Sequence, residues 1–471
     1  MSLAAGVIDR LRAIAGEGAV SVDAADRAAV AHDLWPRALI AERQGSSTPP
    51  PDCVVWPANR TEVNAIYRLC VETGTPVVPF GAGTGVCGAS IAVRGGVVLD
   101  TKRMAAILAW DLDSGYVRVQ PGILGIHLEE ACLERGWTTG HYPSSLPCST
   151  VGGFLATRSA GQLSTRYGRI DDMVAGLDVV LPDGTEVSLA AQPAAGAGPD
   201  LRRLFLGSEG CFGLIVEATL RLHRVPERRV DVAALFGSFH EGIAAAREIL
   251  HTGLRPSLLR LYDPDDSALQ ASHLGVGEGS GALFLASCEG RATVAQAEAS
   301  TLIEVCRENG ARIIAPAAVA TWYSRRYDIG FQQAKYLPVP GSVLDTIEVA
   351  APWSRLGALY DAVKERLRER LVVLCHLSHG YVDGACLYFT FAGMGGDEET
   401  ALPLHEELWE TVMAATFESG GTIAHHHGAG LARAPYLATE LGPGGVETLR
   451  RIKAALDPAG VANPGKWGLD R

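Results

Sequence analysis

Three features that often identify a protein class are absent from this sequence: a basic stretch, a long apolar run and a C-x-x-C cysteine motif. The formal net charge is −12 over 471 residues, so no basic surface is available to neutralise nucleic-acid phosphates. No run approaches the roughly 18 apolar residues that identify a membrane-spanning helix. We therefore expect no nucleic-acid partner and no transmembrane span, while peripheral membrane contact through an uncharged surface stays open.

The cysteines and the N-terminal residues indicate the cellular compartment in which the protein is expected. The ten cysteines form no C-x-x-C pair and mostly lie in apolar runs, which favours buried free thiols over a disulfide framework. The first residues lack the basic start and the apolar stretch of a secretory signal. We therefore expect a cytoplasmic protein.

Length and pattern predict an α+β protein with more than one domain. A chain of 471 residues is too long for a single core. After a helical segment at 1–45, strand and helix patterns alternate closely over 46–225. Residues 226–423 have longer helices and fewer glycine loops, and we expect a separate cap domain there. The glycine-rich C-terminal segment, 424–471, is expected to return to the first domain.

One cap helix is predicted over residues 354–371. Ser354 follows Pro352 and can cap the helix. An apolar stripe at helical spacing predicts which face is buried. The stripe consists of Leu356, Leu359, Val363 and Leu367.

A first glycine-rich loop follows a predicted strand at 76–80. Backbone amides without Cβ atoms can close on a diphosphate and supply several hydrogen-bond donors. The spacing differs from the Rossmann fingerprint, because position 86 is Val and no helix clearly follows. A tight hairpin is the alternative interpretation. The candidate cofactor-binding residues here are Pro79, Gly81, Ala82, Gly83, Thr84, Gly85 and Val86.

Two further segments, 143–161 and 207–218, are rich in small residues. The first is dense in hydroxyls and suits an extended cofactor lying against backbone; a buried small-residue turn is the alternative. In the second, Glu209 lies among glycines and is expected to be structural or near a ribose. The candidate cofactor-binding residues are Pro143, Ser144, Ser145, Ser149, Thr150, Gly152, Gly153, Ala156, Thr157, Arg158, Ser159, Gly161, Glu209, Gly210, Gly213 and Ile215.

A predicted strand at 384–392 carries a candidate catalytic tyrosine. Leu387, Phe389 and Phe391 share the core face, so Tyr388 should point from the other face into a cavity. A phenol there can act as an acid or a base if nearby cations lower its pKa. The alternative is a half-exposed strand tyrosine without a chemical role.

The triple histidine at 425–427 is a second candidate. On an extended strand His425 and His427 would share a face and His426 would take the other, whereas a helical turn would change that assignment. Adjacent histidines cannot readily all ligate one ion, so no metal is predicted. Anion binding or proton transfer is favoured instead.

In order and spacing, the three glycine-rich segments resemble the FAD-binding domain of the vanillyl-alcohol-oxidase (PCMH-type) family. The resemblance covers residues 46–225 and implies a two-lobed FAD-binding domain, with a cap domain built on an antiparallel sheet flanked by helices. It places the FAD diphosphate on the 81–85 loop and the isoalloxazine between the two domains. Some members tether the flavin to a histidine near this loop. Because the loop has no histidine here, we expect non-covalent FAD.

Six further segments resemble the alkyl-dihydroxyacetonephosphate synthase branch of this family; they lie at 139–145, 156–161, 167–172, 260–263, 384–389 and 425–428. Enzymes of this branch exchange the acyl chain of acyl-dihydroxyacetone phosphate for a fatty alcohol, without net oxidation. The resemblance thus implies a lipid-like substrate and, by analogy alone, a homodimer. It assigns catalytic roles to Tyr388, His426, His427, His141 and Arg260, and substrate contacts to His425 and Lys335. Enzymes of this branch have another arginine in the stretch that corresponds to 331–336. This sequence has no arginine there, and Lys335 is the residue that could replace it.

Two other functions compete with this one. FAD dehydrogenases for D-2-hydroxy acids, from the same family, carry a Gly-Asp-Gly-Asn-Leu-His run and a later Glu-His pair, often with a divalent metal. The corresponding stretches here are 383–388 and 425–427, and they lack that histidine and that glutamate. A flavin-binding homologue without activity is disfavoured because nearly every polar site position is filled.

Overall fold

The computed structural model describes residues 3, 5–46, 48–276, 281–328 and 335–469. Its helices are α1 (Ala5–Ala15), α2 (Ala24–Ala29), α3 (Pro36–Arg43), α4 (Arg60–Thr73), α5 (Gly125–Leu133), α6 (Val151–Thr157), α7 (Ser164–Tyr167), α8 (Ile170–Met173), α9 (Arg202–Phe205), α10 (Phe239–His251), α11 (Pro264–Leu274), α12 (Ala292–Glu308), α13 (Ala317–Arg325), α14 (Trp353–Leu367), α15 (Glu398–Glu418) and α16 (Leu437–Leu456). Short 3-10 turns lie at Glu17–Ala19, Thr101–Arg103 and Ala434–Tyr436.

The strands fall into four sheets. They are β1 (Val20–Ser21), β2 (Cys53–Val55), β3 (Val77–Phe80), β4 (Val97–Asp100), β5 (Ile107–Asp111), β6 (Tyr116–Val119), β7 (Trp137–Thr138), β8 (Val174–Val180), β9 (Glu186–Leu189), β10 (Leu214–Arg221), β11 (His223–Arg224), β12 (Arg228–Phe236), β13 (Leu258–Tyr262), β14 (Ala282–Gly290), β15 (Arg312–Ile314), β16 (Ser342–Pro352), β17 (Val372–Gly380) and β18 (Gly384–Met394).

The N-terminal half contains two main sheets, which form the two lobes of the first domain. In the order β1-β2-β4-β3, the last three strands are parallel and β1 is antiparallel at the edge. The second sheet is antiparallel, in the order β5-β6-β10-β8-β9. Helix α4 begins where the Asn59 side chain accepts a hydrogen bond from the Glu62 amide, and it ends at Gly74 in the left-handed conformation. Its Val63 and Ile66 pack with Val216 of β10, so one core joins both sheets.

The cap is one antiparallel sheet in the order β15-β12-β14-β13-β17-β18-β16. Helices α10, α12, α14 and α15 cover one face with an apolar core. Leu387, Phe389 and Phe391 belong to that core, as the alternation predicts. The opposite face carries the polar side chains of the candidate site.

The expected α+β class, with an antiparallel cap sheet flanked by helices, is confirmed. The cap helix has its predicted stripe buried, but the prediction of Ser354 as its cap is wrong. The helix begins at Trp353 with Pro352 before it, and no side chain caps its first turn. The ring of Pro352 fixes its backbone φ angle, so the chain can enter the helix without a capping side chain. Ser354 therefore lies inside the first turn and does not cap it.

The C-terminal segment crosses back to the first domain. Val77 of β3 forms a parallel bridge with Ala462, and Trp467 packs in the core of the second sheet. The domain boundaries at 45/46, 225/226 and 423/424 stay predictions. Among the described helices, none has both the length and the apolarity to cross a bilayer.

Candidate active site

The three glycine-rich segments meet at the end of β3. Thr84 Oγ1 and Ser149 Oγ share a hydrogen bond of 2.6 Å. A side chain on Gly81 would collide with Thr150, and a Cβ on Gly210 would lie 2.5 Å from Cγ of Pro79. Three segments that are distant in sequence therefore lie side by side, as the predicted cofactor site requires.

The loop at 81–86 is half-buried and lies outside regular secondary structure. Gly83 has a φ of +66°, and a Cβ there would lie 2.6 Å from the Phe80 ring, so only glycine fits. Thr150 caps α6 by accepting from the Gly153 amide at 3.3 Å, which fixes the neighbouring segment against the loop. Backbone without side chains in this arrangement fits the diphosphate of a dinucleotide.

The remaining predicted cofactor residues continue this surface. Arg158 ends α6 in the left-handed conformation and packs against Gly207. Ser159 Oγ lies 2.8 Å from Nε2 of His141, and a Cβ on Gly161 would meet the Tyr142 amide nitrogen at 2.5 Å. These contacts place the 156–161 stretch against the 141–145 stretch.

Glu209 is buried, and both of its carboxylate oxygens are occupied by protein donors. The amides of Ala429 and Gly430 and Nε1 of Trp467 donate to it at 2.9, 2.9 and 2.6 Å. The contacts support the structural alternative for Glu209 rather than contact with a ribose.

The triple histidine is held by a second buried carboxylate, that of Glu348 on β16. The amides of His425, His426 and His427 donate to its two oxygens at 3.3, 3.1 and 2.6 Å. The fully buried Arg433 donates to the same carboxylate at 2.7 Å. The Glu348 carboxylate therefore both neutralises the charge of Arg433 and fixes the backbone of the three histidines.

Residues 425–427 adopt neither of the two conformations that the sequence left open. The segment is a series of bends around Glu348, neither extended nor helical, because its amides turn towards one carboxylate. The rings consequently do not alternate between two faces. His425 stacks on His379 at 5.0 Å, His426 stacks on Tyr388 at 6.0 Å, and His427 meets Tyr388 edge-on at 5.6 Å.

Tyr388 has two imidazoles stacked near its ring. It pairs across the sheet with His376 of β17, whose ring stacks on it at 5.0 Å and 19°, and the ring of His426 lies 6.0 Å away at 25°. The prediction that Tyr388 faces away from the apolar core is confirmed. His376 escaped sequence analysis, although its place in a strand beside alternating buried Cys375 and Leu377 is a signal that could have identified it.

Nearby cations do not bring the pKa of Tyr388 below its usual value. Burial raises the pKa of Tyr388 to about 12, because a phenolate would lose its hydration there. Burial also lowers the pKa of His425 to about 4, of His427 to about 3 and of His376 to about 4. At neutral pH the site thus holds a protonated phenol and neutral imidazoles.

The guanidinium of Arg260, on β13, contacts this group through His376. Its Nη2 meets Nε2 of His376, whose Nδ1 lies 3.3 Å from Oδ2 of Asp266. The guanidinium lies 5.8 Å and 5.4 Å from the ring centres of Tyr262 and Trp322. Because arginine only donates, His376 accepts through Nε2 and carries its proton on Nδ1. Asp266 and His376 therefore orient Arg260.

The other predicted site residues lie further out. His141 is buried in the first domain, against Ser159 and Phe154, and burial lowers its pKa to about 3. These contacts are those of a core histidine. Lys335 is exposed in the turn before β16, and residues 331–334 of the arginine-like stretch lie outside the described residues. Its substrate role stays a prediction.

Comparisons with known proteins identify the type of site. A family model described as "FAD binding domain" matches residues 51–190, and one described as "FAD linked oxidases, C-terminal domain" matches residues 225–467. The chain is 30% identical to alkyldihydroxyacetonephosphate synthase of Trypanosoma brucei brucei, over 98% of this chain and 80% of the relative. A solved alkyldihydroxyacetonephosphate synthase matches with a TM-score of 0.85 at 26% identity, covering 99% of this chain and 86% of that one. The glycolate oxidase subunit GlcD of Bacillus subtilis is 29% identical, over 88% of each chain. The protein therefore binds FAD, and its relatives include both a synthase and an oxidase.

We predict that the flavin is released when the purified yellow protein is precipitated with acid. The 81–86 loop contains no histidine to form a covalent tether. Absorbance of the supernatant and of the pellet measures the partition of the flavin. Flavin that stays with the pellet would contradict non-covalent binding.

We predict that Gly83→Glu abolishes FAD binding. The substitution forces a side chain into the left-handed conformation beside Phe80 and brings a carboxylate to the proposed diphosphate site. Flavin content per chain measures the effect, and Gly136→Glu, a left-handed glycine with open space around it, is the matched control. Normal flavin content in Gly83→Glu would mean that the diphosphate lies elsewhere.

Proposed function

Because this chain belongs to the FAD-linked oxidases with a PCMH-type FAD-binding domain, we propose that it is an alkyl-dihydroxyacetonephosphate synthase-like enzyme. It would exchange the acyl chain of acyl-dihydroxyacetone phosphate for a fatty alcohol and form an ether bond. The observation that carries the proposal is the group of Tyr388, His376, His426 and Arg260 on the open face of the cap sheet.

Arg260 and the histidine segment are proposed to bind the phosphate of the substrate. A dianion entering a partly dry site needs several charged or polar donors to offset its lost hydration. Arg260 offers a planar pair of donors in a fixed orientation. Neutral His426 and His427 each offer one ring N–H, and Lys335 is the additional cation proposed for the same phosphate.

Tyr388 is proposed to act as a hydrogen-bond donor and proton carrier at the exchanged oxygen. Its raised pKa keeps the proton on the phenol at neutral pH, so it is suited to donate before it accepts. FAD, when bound, would supply the electrophilic and redox-capable centre. The nearly parallel rings of His376 and His426 restrict the plane of the phenol ring.

A dehydrogenase for D-2-hydroxy acids is the second candidate. The similarity to a glycolate oxidase subunit and the density of histidines around Tyr388 support it. The sequence argues against it, because Tyr388 stands where these dehydrogenases carry a histidine. The 425–427 segment likewise has histidine where they carry a glutamate. Both candidates require an anionic substrate, and they differ in whether the substrate reduces the flavin.

We predict that D-lactate, glycolate and D-2-hydroxyglutarate do not bleach the flavin under anaerobic conditions. No imidazole occupies position 388, where a dehydrogenase base would lie. Absorbance at the main visible flavin band, followed after mixing, measures the reduction, with dithionite as the positive control. Rapid bleaching by any of the three acids would establish the dehydrogenase alternative instead.

We predict that Arg260→Ala raises KM for a phosphorylated ketone substrate about ten- to a hundredfold and leaves the flavin spectrum intact. Loss of one charged hydrogen bond costs about 1.5–3 kcal/mol, which corresponds to that range. Arg291→Ala, on an exposed arginine of the cap, should leave KM unchanged. If Arg260→Ala binds the substrate as well as the parent does, the phosphate is held elsewhere.

We predict that this affinity is constant between about pH 7 and pH 8.5, where the phosphate stays dianionic. The folded-state pKa values of the site histidines lie below 6.5, so the imidazoles are neutral throughout this window and bind through N–H groups. Histidines that bound as cations would make affinity fall roughly tenfold per pH unit. A fall of that size in KM measurements would contradict neutral histidines.

A further inference from the structure

Three histidine rings converge beside Tyr388, on the face of the cap sheet that meets the first domain. One nitrogen from each of His379, His425 and His426 lies within 4.8 Å of the others. Nδ1 of His425 and Nδ1 of His426 are only 2.9 Å apart. The ring of His379 lies 5.0 Å from each of the other two rings. We propose that these three histidines bind a divalent transition-metal ion of the Zn²⁺ class.

The ligand chemistry fits such an ion. Imidazole nitrogens suit zinc and its neighbours, whereas calcium and magnesium require oxygen ligands. Three histidines that leave a fourth position open form a common set for a reactive zinc ion. The fourth position would accept water or an anionic oxygen of a substrate.

Hydrogen bonds already orient two of the three rings. Ser164 Oγ lies 2.7 Å from Nδ1 of His379, which leaves Nε2 for the ion. The Tyr381 hydroxyl lies 2.7 Å from Nε2 of His425, which leaves Nδ1 for the ion. A partner on the outer nitrogen is the usual arrangement around metal-binding histidines, because it fixes the tautomer and the ring plane.

The backbone explains why two adjacent histidines can share one ion. The Glu348 carboxylate bends the segment, so Nδ1 of His425 and Nδ1 of His426 face each other instead of pointing apart. His427 is not part of the converging group, and its Nδ1 lies 3.8 Å from Oε1 of Glu348. The sequence predicted that three adjacent histidines cannot readily all ligate one ion; the set proposed here uses two of them, and no local pattern links His379 to that segment.

A strand irregularity supplies that third ligand. The register between β17 and β18 shifts between Leu377 and His379, so His379 pairs with Cys386. Cys386 lies on the same face of β18 as Tyr388, and the shift therefore brings His379 to the polar face. With regular pairing, position 379 would fall on the face of Leu377, which is buried in the apolar core.

The electrostatic surroundings allow an ion whose fourth ligand is an anion. Glu348 pairs with Arg433, and Asp171 pairs with both Arg169, beside His425, and Arg203. The three histidine ligands themselves are neutral, so a bound dication would retain positive charge to attract an anionic substrate group. This inference does not depend on the ether-forming reaction, because a phosphate and a carboxylate could both fill the fourth position.

The test is a titration of the FAD-loaded protein with ZnCl₂ after treatment with EDTA and removal of the chelator. Calorimetry and elemental analysis after dialysis should give one zinc ion per chain for the parent. His379→Gln and His426→Gln should lose the stoichiometric site. Ser164→Ala, which removes only the partner of the outer nitrogen, should weaken binding about 10- to 100-fold. His127→Gln, on an exposed face of α5, is the matched control and should bind as the parent does.

Flavin content and the thermal unfolding midpoint of every variant distinguish loss of a ligand from loss of the fold. Absence of stoichiometric zinc in the folded parent would overturn the proposal. Parent-like zinc binding by folded His379→Gln would overturn it as well, because the ion would then lie elsewhere. Neither result bears on flavin reduction by hydroxy acids or on ether formation, so the metal site and the proposed function can fail separately.

Discussion

Two buried carboxylates, one from each domain, hold the six-residue segment on which the whole site depends. Glu348 of the cap accepts the amides of residues 425–427, and Glu209 of the first domain accepts those of 429 and 430. Gly428 between them has a φ of +79° and so close an approach to Glu209 that no side chain fits. A segment with so many amides directed inwards has no strand or helix partners, and the carboxylates replace them.

This arrangement links the flavin surface to the polar face of the cap sheet. Leu431 donates its amide to the Cys87 carbonyl at 2.7 Å, directly after the glycine loop, while His426 stacks on Tyr388 of the cap. Arg433 is completely buried, and loss of one partner of such an ion pair costs about 3–5 kcal/mol. Replacement of both partners by apolar residues often costs little, so we attribute to this pair a role in fixing the geometry rather than in net stability.

Local pattern predicted a substantial part of the fold and of the site. Period-two alternation placed Tyr388 opposite Phe389, and alternate glycines at 81–85 predicted a cofactor loop, whose contact with FAD stays a prediction. The pairing of Glu348 with amides 77–79 residues later could not be predicted, because no local pattern encodes a long-range contact to backbone. Strand alternation could have placed His376 on the polar face, but its contact with Tyr388 depends on strand register, which no local pattern gives. The direction of the Tyr388 pKa shift depends on burial, which opposes and exceeds the effect of neighbouring cations.

We propose that this flavoprotein exchanges an acyl chain for an alkyl chain instead of oxidising its substrate. Anaerobic incubation of the FAD-loaded protein with acyl-dihydroxyacetone phosphate and a labelled long-chain alcohol, with flavin absorbance and products followed together, tests this proposal. We expect labelled ether lipid, an equal amount of released fatty acid, and flavin that is fully oxidised at the end. Flavin that ends reduced, or release of fatty acid without labelled ether lipid, would contradict it.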